Sequence, residues 1–281
     1  MPELPEVETI CQALRNVLPG QVIERVDVLH KQVIQPLSEE EFIKALEGAV
    51  LNEVTRRGKY IICRFSSPVS ETKLNLLVIH LRMTGQLHWA DWADEQKDFE
   101  PHTHLILHFK SGSVLSYVDV RRFGRWRLYQ RLEEDATLAS LGPEPLGEDF
   151  TITYLQSALA ERSMPIKALL LRQDVIAGLG NIYADEALFL AKVHPERAAR
   201  SLGIEEIECL WYQIRFVLEE SIRLGGSSMR DYMNIDGKRG HYQEHWRIYR
   251  QTGKECTECG GVIQKTKIGG RSSHFCSNCQ L

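Results

Sequence analysis

Residues 256–279 read CTECGGVIQKTKIGGRSSHFCSNC. Cys256 and Cys259 form one Cys-x2-Cys pair, Cys276 and Cys279 another, and sixteen residues separate the pairs. Each pair suits a knuckle that turns both thiolates toward one ion, and the stretch between them suits a returning hairpin. This is the spacing of a four-cysteine zinc ribbon. Two disulfides or a redox pair would need an oxidising compartment or a thioredoxin-like βαβ pattern, and the sequence has the marks of neither. One Zn²⁺ held by four cysteines keeps no open position, so the ion is structural.

Outward from the cysteines, the charge is uneven. The chain carries a net −4 over 281 residues, yet from Ser227 to Leu281 nine Lys/Arg face five acids. Four thiolates and one Zn²⁺ reduce that tail from +4 to about +2, so a basic footprint rests on placement, Arg271 in the hairpin above all. The remaining cysteines, Cys11, Cys63 and Cys209, lie singly in apolar patterns and are expected as small buried hydrophobes. No stretch approaches the ~20 apolar residues of a membrane span. The acidic, proline-containing start is neither a secretory signal nor a transit peptide, and a bacterial-type cytoplasmic protein is expected.

The chain before the finger divides by periodicity. MPELPEVETI opens a helix, with Val7, Ile10, Leu14 and Leu18 at helical spacing and Pro19-Gly20 to end it. SEEEFIKALEG (38–48) has a capping-box start at Ser38 and Glu41. KYIICRF (59–65), LNLLVIHLRM (74–83), HTHLILHF and SVLSYVDV read as strands, the last two joined through Lys110-Ser111-Gly112 as a hairpin. LASLGPEPLGEDF (138–150), with two Gly and two Pro, is the linker candidate. Beyond it TITYLQSALAERS, NIYADEALFLAKV and IEEIECLWYQIRFVLEESIRLGG read as helices, with the glycine-bearing turn IAGLGN before the second. The expected domains are 1–137, a linker at 138–150, 151–235 and 236–281.

In order along the chain, MPELPEVET, RRGKY, HLRMTG, DVRRFG, GLGNIYADEALF and the terminal finger resemble formamidopyrimidine-DNA glycosylases over practically the whole length. The resemblance implies an α+β multidomain fold: an N-terminal β-sandwich flanked by helices, a helix-two-turn-helix domain and a zinc finger, with DNA crossing the cleft between two lobes. It implies a monomeric bifunctional glycosylase/AP lyase whose partner is double-stranded DNA containing oxidised purines or abasic sites, and one structural Zn²⁺ as the cofactor.

Residue by residue, the resemblance makes Pro2 the nucleophile. Removal of Met1 would expose a secondary amine whose pKa lies near the ordinary α-amino value of about 8, so that part of it is unprotonated near neutrality. Glu3 becomes the acid/base group beside it, and Lys59 a proton donor in elimination. Glu6 either supports the site or only favours a helix N-terminus. Met83, Arg121 and Phe123 match the residues that fill the void left by an extruded base. Arg122, His102, Arg162, Lys167 and Asn181 match DNA-contacting positions, and Arg271 the arginine that grips phosphate and assists δ-elimination. Residues 225–234 correspond to the loop over the flipped base. Two departures stand out: Arg172 before Gln173, where many relatives carry Asp, and a long tryptophan-rich 84–100 segment. An endonuclease VIII-like enzyme for oxidised pyrimidines is the first alternative, disfavoured by PELPE and DVRRFG. A non-catalytic damaged-DNA-binding paralogue is the second, disfavoured by the retention of Pro2, Glu3 and Lys59.

Overall fold

A computed structural model describes residues 2–67, 74–91, 101–228, 235 and 239–281. Met1, residues 92–100 of the tryptophan-rich segment and residues 229–234 of the expected lesion loop lie outside the described residues. The chain forms two compact units, Met1–Ala139 with Ser227–Gly240, and Ser140–Gly226 with His241–Leu281. No helix among the described residues is long and apolar enough to cross a membrane.

In the first unit, helix α1 (Leu4–Val17) buries Leu4, Val7, Ile10, Cys11 and Leu14, the stripe its spacing predicts. Helix α2 (Glu39–Leu46) starts at the Ser38 cap, whose hydroxyl accepts the Glu41 N–H. Among the described residues, eight strands make two antiparallel sheets. One has the order β2 (Val50–Arg57), β3 (Tyr60–Ser66), β4 (Leu76–His80), β8 (Arg125–Tyr129). The other has the order β1 (Ile23–Val28), β6 (Thr103–Phe109), β7 (Ser113–Asp119), β5 (Gly85–Asp91). Their inner faces share one core with α1 and α2, in which Phe42, Phe65, Phe109, Tyr117 and Trp126 are wholly buried. That shared core makes the two sheets a sandwich.

The topology brings two crossovers side by side. Strand β4 neighbours β8 in one sheet, and β5 neighbours β7 in the other. The loops β4–β5 and β7–β8, which both pass from sheet to sheet, therefore run together at one end of the sandwich. Register pins their ends, His80 opposite Arg125 and Gly85 opposite Asp119.

In the second unit, helices α4 (Ile152–Leu159), α5 (Ile166–Leu170), α6 (Asn181–Leu190) and α7 (Ile204–Arg223) follow a short α3 (Ala136–Ala139) that closes the first. Helix α6 is buried on every side from Ile182 to Phe189, including Asp185 and Glu186. The finger hairpin is β9 (Gln264–Ile268) and β10 (Arg271–Phe275), joined by Gly269 and Gly270, both at positive φ as a two-residue turn of this kind requires. One expectation is corrected: Cys11 and Cys63 are buried, but Cys209 is exposed, on a turn of α7 whose inward face is taken by Ile207 and Leu210.

Candidate nucleic-acid interface

The amino terminus is not a frayed tip. Pro2 and Glu3 are buried ahead of α1. Glu6, itself buried, is the tie: its Oε2 accepts the Glu3 N–H at 2.8 Å and its Oε1 accepts the Ser227 N–H at 2.7 Å. One carboxylate thus fixes both the residue after Pro2 and the entry to the 229–234 segment. The first of these bonds is the capping-box contact at the start of α1, so Glu6 caps the helix and also ties it to Ser227.

Lys59 sits in the two-residue turn between β2 and β3 and is nearly buried. Arg56 mounts this turn on α1, donating from Nη1 to the Gly58 carbonyl (3.0 Å) and from Nε to Glu8 (2.9 Å). Beside it is a residue that sequence patterning did not single out, His80. Its Nδ1 accepts the Arg82 N–H at 3.0 Å, and its ring stands edge-on to Tyr60. Burial first, then the charges of Arg82 and Lys59, push its pKa down to about 3. The imidazole is therefore neutral at physiological pH, with the proton on Nε2.

The adjoining crossovers bring Met83, Arg121 and Phe123 together. Arg121 Nη1 lies 3.1 Å from the Met83 sulfur, and the guanidinium is 4.8 Å from the centre of the Phe123 ring. Met83 and Phe123 are 43% and 48% exposed, uncommon for large apolar side chains on a sandwich with a full core. Two glycines allow the crossovers to close. A Cβ on Gly85 would meet the Leu81 carbonyl at 2.5 Å, and one on Gly124 would meet the Tyr117 hydroxyl at 1.7 Å. Arg122, between Arg121 and Phe123, and His102, whose carbonyl accepts the Asp119 N–H, are both exposed, each at positive φ (59° and 78°).

In the second unit, Asn181 opens α6, and its Oδ1 is buried with no hydrogen-bond partner among the described residues. The turn before it is held by Gln173, whose side chain donates to the carbonyls of Leu171 and Leu179 and accepts the Gly178 N–H. Arg172, the departure from relatives, pairs on the surface with Asp174. Arg162 is exposed just past α4, and Arg271 is exposed at the finger turn. Lys167 differs from these exposed cations. It is wholly buried, 2.6 Å from Asp185 Oδ1, and its ammonium donates to the Ser272 carbonyl (2.6 Å) and the Ser273 hydroxyl (2.8 Å). So enclosed, the ammonium is held by protein acceptors on three residues. Asp185 also accepts the His274 backbone N–H at 3.0 Å, and Glu186 accepts the N–H groups of Arg247, Ile248 and Tyr249. Adjacent acids on α6 thereby dock the finger and its lead-in. Burial raises the Glu186 pKa despite those three donors.

The four finger cysteines converge, their sulfurs all within 4.8 Å of one another. Cys256 and Cys279 are 3.8 Å apart, Cys259 and Cys276 3.5 Å. Tetrahedral zinc with Zn–S of ~2.3 Å separates its sulfurs by about 3.8 Å, whereas a disulfide would bring them to ~2.05 Å. The donor set fits one Zn²⁺ and no disulfide.

Sequence models of three domains match the chain: the formamidopyrimidine-DNA glycosylase N-terminal domain at residues 1–126, its H2TH domain at 141–233, and a zinc finger found in FPG and IleRS at 253–281. The chain belongs to the formamidopyrimidine-DNA glycosylase family. It is 43% identical to the formamidopyrimidine-DNA glycosylase of Heliobacterium modesticaldum over the full length of both chains. It is 40% identical to that of Streptococcus pneumoniae R6, covering all of this chain and 99% of the other. Among solved structures it resembles Lactococcus lactis Fpg bound to abasic-site DNA (TM-score 0.90, 37% identity, 99% of each chain). It also resembles a MutM complex with carbocyclic 8-oxo-G DNA (TM-score 0.89, 38% identity, 99% of each chain). Sequence patterning gave no role to His80 or Asp185 and left that of Glu6 open between two. Glu6 reaches Ser227, 221 residues on, and Asp185 reaches His274, 89 residues on, contacts that no local pattern marks.

Proposed function

We propose that this glycosylase excises oxidised purines such as 8-oxoguanine and formamidopyrimidines from duplex DNA and then cleaves the abasic site by β,δ-elimination. The observation that carries the reading is the exposed Met83–Arg121–Phe123 tip. Apolar surface beside a guanidinium suits the hole left in a base stack and the hydrogen-bonding edge of the widowed base.

The chemistry follows from the N-terminus. The Pro2 amine attacks C1′ and the C1′–N bond breaks, its electron pair leaving with the base, which takes up a proton; Glu3 is the adjacent acid/base group. The proline nitrogen loses its proton, the C1′–O4′ bond then breaks with O4′ taking up a proton delivered by Glu3, and the opened sugar is left as an iminium that, formed on a secondary amine, is already cationic. Loss of the C2′ proton feeds electrons into it and expels the 3′ phosphate, and a second elimination expels the 5′ phosphate. Lys59 and Arg271 supply positive charge and protons to the leaving phosphates. Arg122, His102, Arg162 and Asn181 hold the backbone, and Zn²⁺ on Cys256, Cys259, Cys276 and Cys279 keeps the finger folded. The enzyme works as a monomer in the cytoplasm, at the nucleoid.

The test is cleavage of matched duplexes carrying 8-oxoguanine opposite C or thymine glycol. Faster excision from the first is the expected result. Preference for thymine glycol would indicate an endonuclease VIII-like enzyme, and binding without cleavage a non-catalytic paralogue.

A further inference from the structure

Asp119, the last residue of β7, is completely buried and touches none of the groups assigned to chemistry, yet it bonds to both crossovers that carry the void-filling side chains. Its Oδ1 accepts the Thr84 hydroxyl at 2.5 Å and the Arg121 N–H at 3.1 Å. Its Oδ2 accepts the Tyr117 hydroxyl and the Gly124 N–H, each at 2.9 Å. Thr84 directly follows Met83, and Gly124 directly follows Phe123. The main chain extends the same node: Asp119 N–H donates to the His102 carbonyl at 3.1 Å, and Arg122 N–H donates to the Asp119 carbonyl at 3.2 Å.

We propose that Asp119 is a positioning residue for base extrusion: its carboxylate locks the Met83 crossover to the Arg121–Phe123 crossover, so the three side chains enter the base stack as one preassembled wedge. This rests on the glycosylase reading above. A mere space-filler needs no charge, and an apolar side chain would fill the same volume without the cost of burying a carboxylate. What the carboxylate adds is four fixed directions. Burial works against its ionisation, but the bonds from Thr84, Gly124, Tyr117 and Arg121 outweigh it and hold the pKa below the ordinary range. The crossovers are thus fixed before DNA arrives, and their ordering cost falls on folding instead of on extrusion.

The geometry also supplies a discriminating variant. Each carboxylate oxygen accepts one backbone N–H, and backbone donors cannot rotate away. In Asp119→Asn, whichever way the amide turns, its NH₂ opposes either the Arg121 or the Gly124 N–H. Thr84→Val is milder and releases only the Met83 side. Single-turnover excision of 8-oxoguanine is compared with cleavage of a pre-formed abasic site, in which no base must leave the stack, and 2-aminopurine opposite the lesion reports wedge entry. For Asp119→Asn, excision and wedge entry fall about tenfold or more relative to abasic-site cleavage, the ~1.4 kcal/mol of one lost hydrogen bond. Thr84→Val moves the same ratio in the same direction by less. A parallel loss of both activities in Asp119→Asn, or an unchanged ratio, overturns the proposal. Should Asp119→Asn fail to fold, an unchanged ratio in Thr84→Val overturns it alone. A wild-type protein that excises no lesion would instead sink the glycosylase reading.

Discussion

Replacing Lys167 by Met keeps the aliphatic stem and removes only the ammonium. If Lys167 gripped a phosphate, as family resemblance implies, the variant would bind DNA with a salt dependence weaker by about 0.9 in the slope of log K against log salt. The structure demands a different outcome. The ammonium is fully enclosed, with Asp185 Oδ1 at 2.6 Å and acceptors at Ser272 and Ser273, and Asp185 is equally buried. Removing one member of a buried ion pair leaves an uncompensated charge, which costs about 3–5 kcal/mol. Urea unfolding should therefore show a large drop in the stability of the finger-bearing unit, while the salt slope of DNA binding at low temperature stays the same. Adding Asp185→Asn should recover part of the loss, because the orphaned charge goes while the acceptor for the His274 N–H stays. A slope reduced by about 0.9 with an unchanged unfolding midpoint would refute the reasoning and return Lys167 to the DNA interface.

Removing zinc with a chelator, or substituting Cys276→Ser, should unfold residues 254–280 and abolish DNA binding, because structural zinc supplies about 10–16 kcal/mol to such sites. Near-UV dichroism of the Trp126 core should persist; undiminished affinity after verified zinc loss counts against the finger's role. His80 should make the protein acid-sensitive. Its folded pKa of about 3 lies below the unfolded value of 6.5, so the unfolded state takes up a proton first as pH falls. The stability His80 contributes is whole above pH 6.5 and is lost progressively toward pH 3, on the order of 5 kcal/mol in all. His80→Asn, whose amide oxygen can still accept the Arg82 N–H, should flatten the melting temperature between pH 6.5 and 4.5; an unaltered pH profile would show that His80 is solvated.

Much of this was legible because the informative signals are local. The Cys-x2-Cys pairs, the Ser38 capping box and the α1 stripe each lie within a few residues, and each forms as read. That Met83, Arg121 and Phe123 belong together was legible only through motif resemblance. What joins Met83 to Arg121 is sheet order, with β4 beside β8 and β5 beside β7, and periodicity carries no information on order. Buried polar residues were the blind spot. Lys167 and Asp185 look like ordinary surface charges in a helical pattern, and only the packed structure shows them sealed against the finger. Cys209 erred the other way, since an apolar neighbourhood in sequence does not say which side of a helix a residue takes.

The central claim is that the amino-terminal proline is the nucleophile, and borohydride trapping tests it most directly. Enzyme and an 8-oxoguanine duplex are mixed with borohydride, and the adduct is digested and located by mass spectrometry. A covalent adduct on a peptide that begins at Pro2, with Met1 removed, is the predicted result. An adduct on any lysine, or active enzyme that retains Met1, would contradict it.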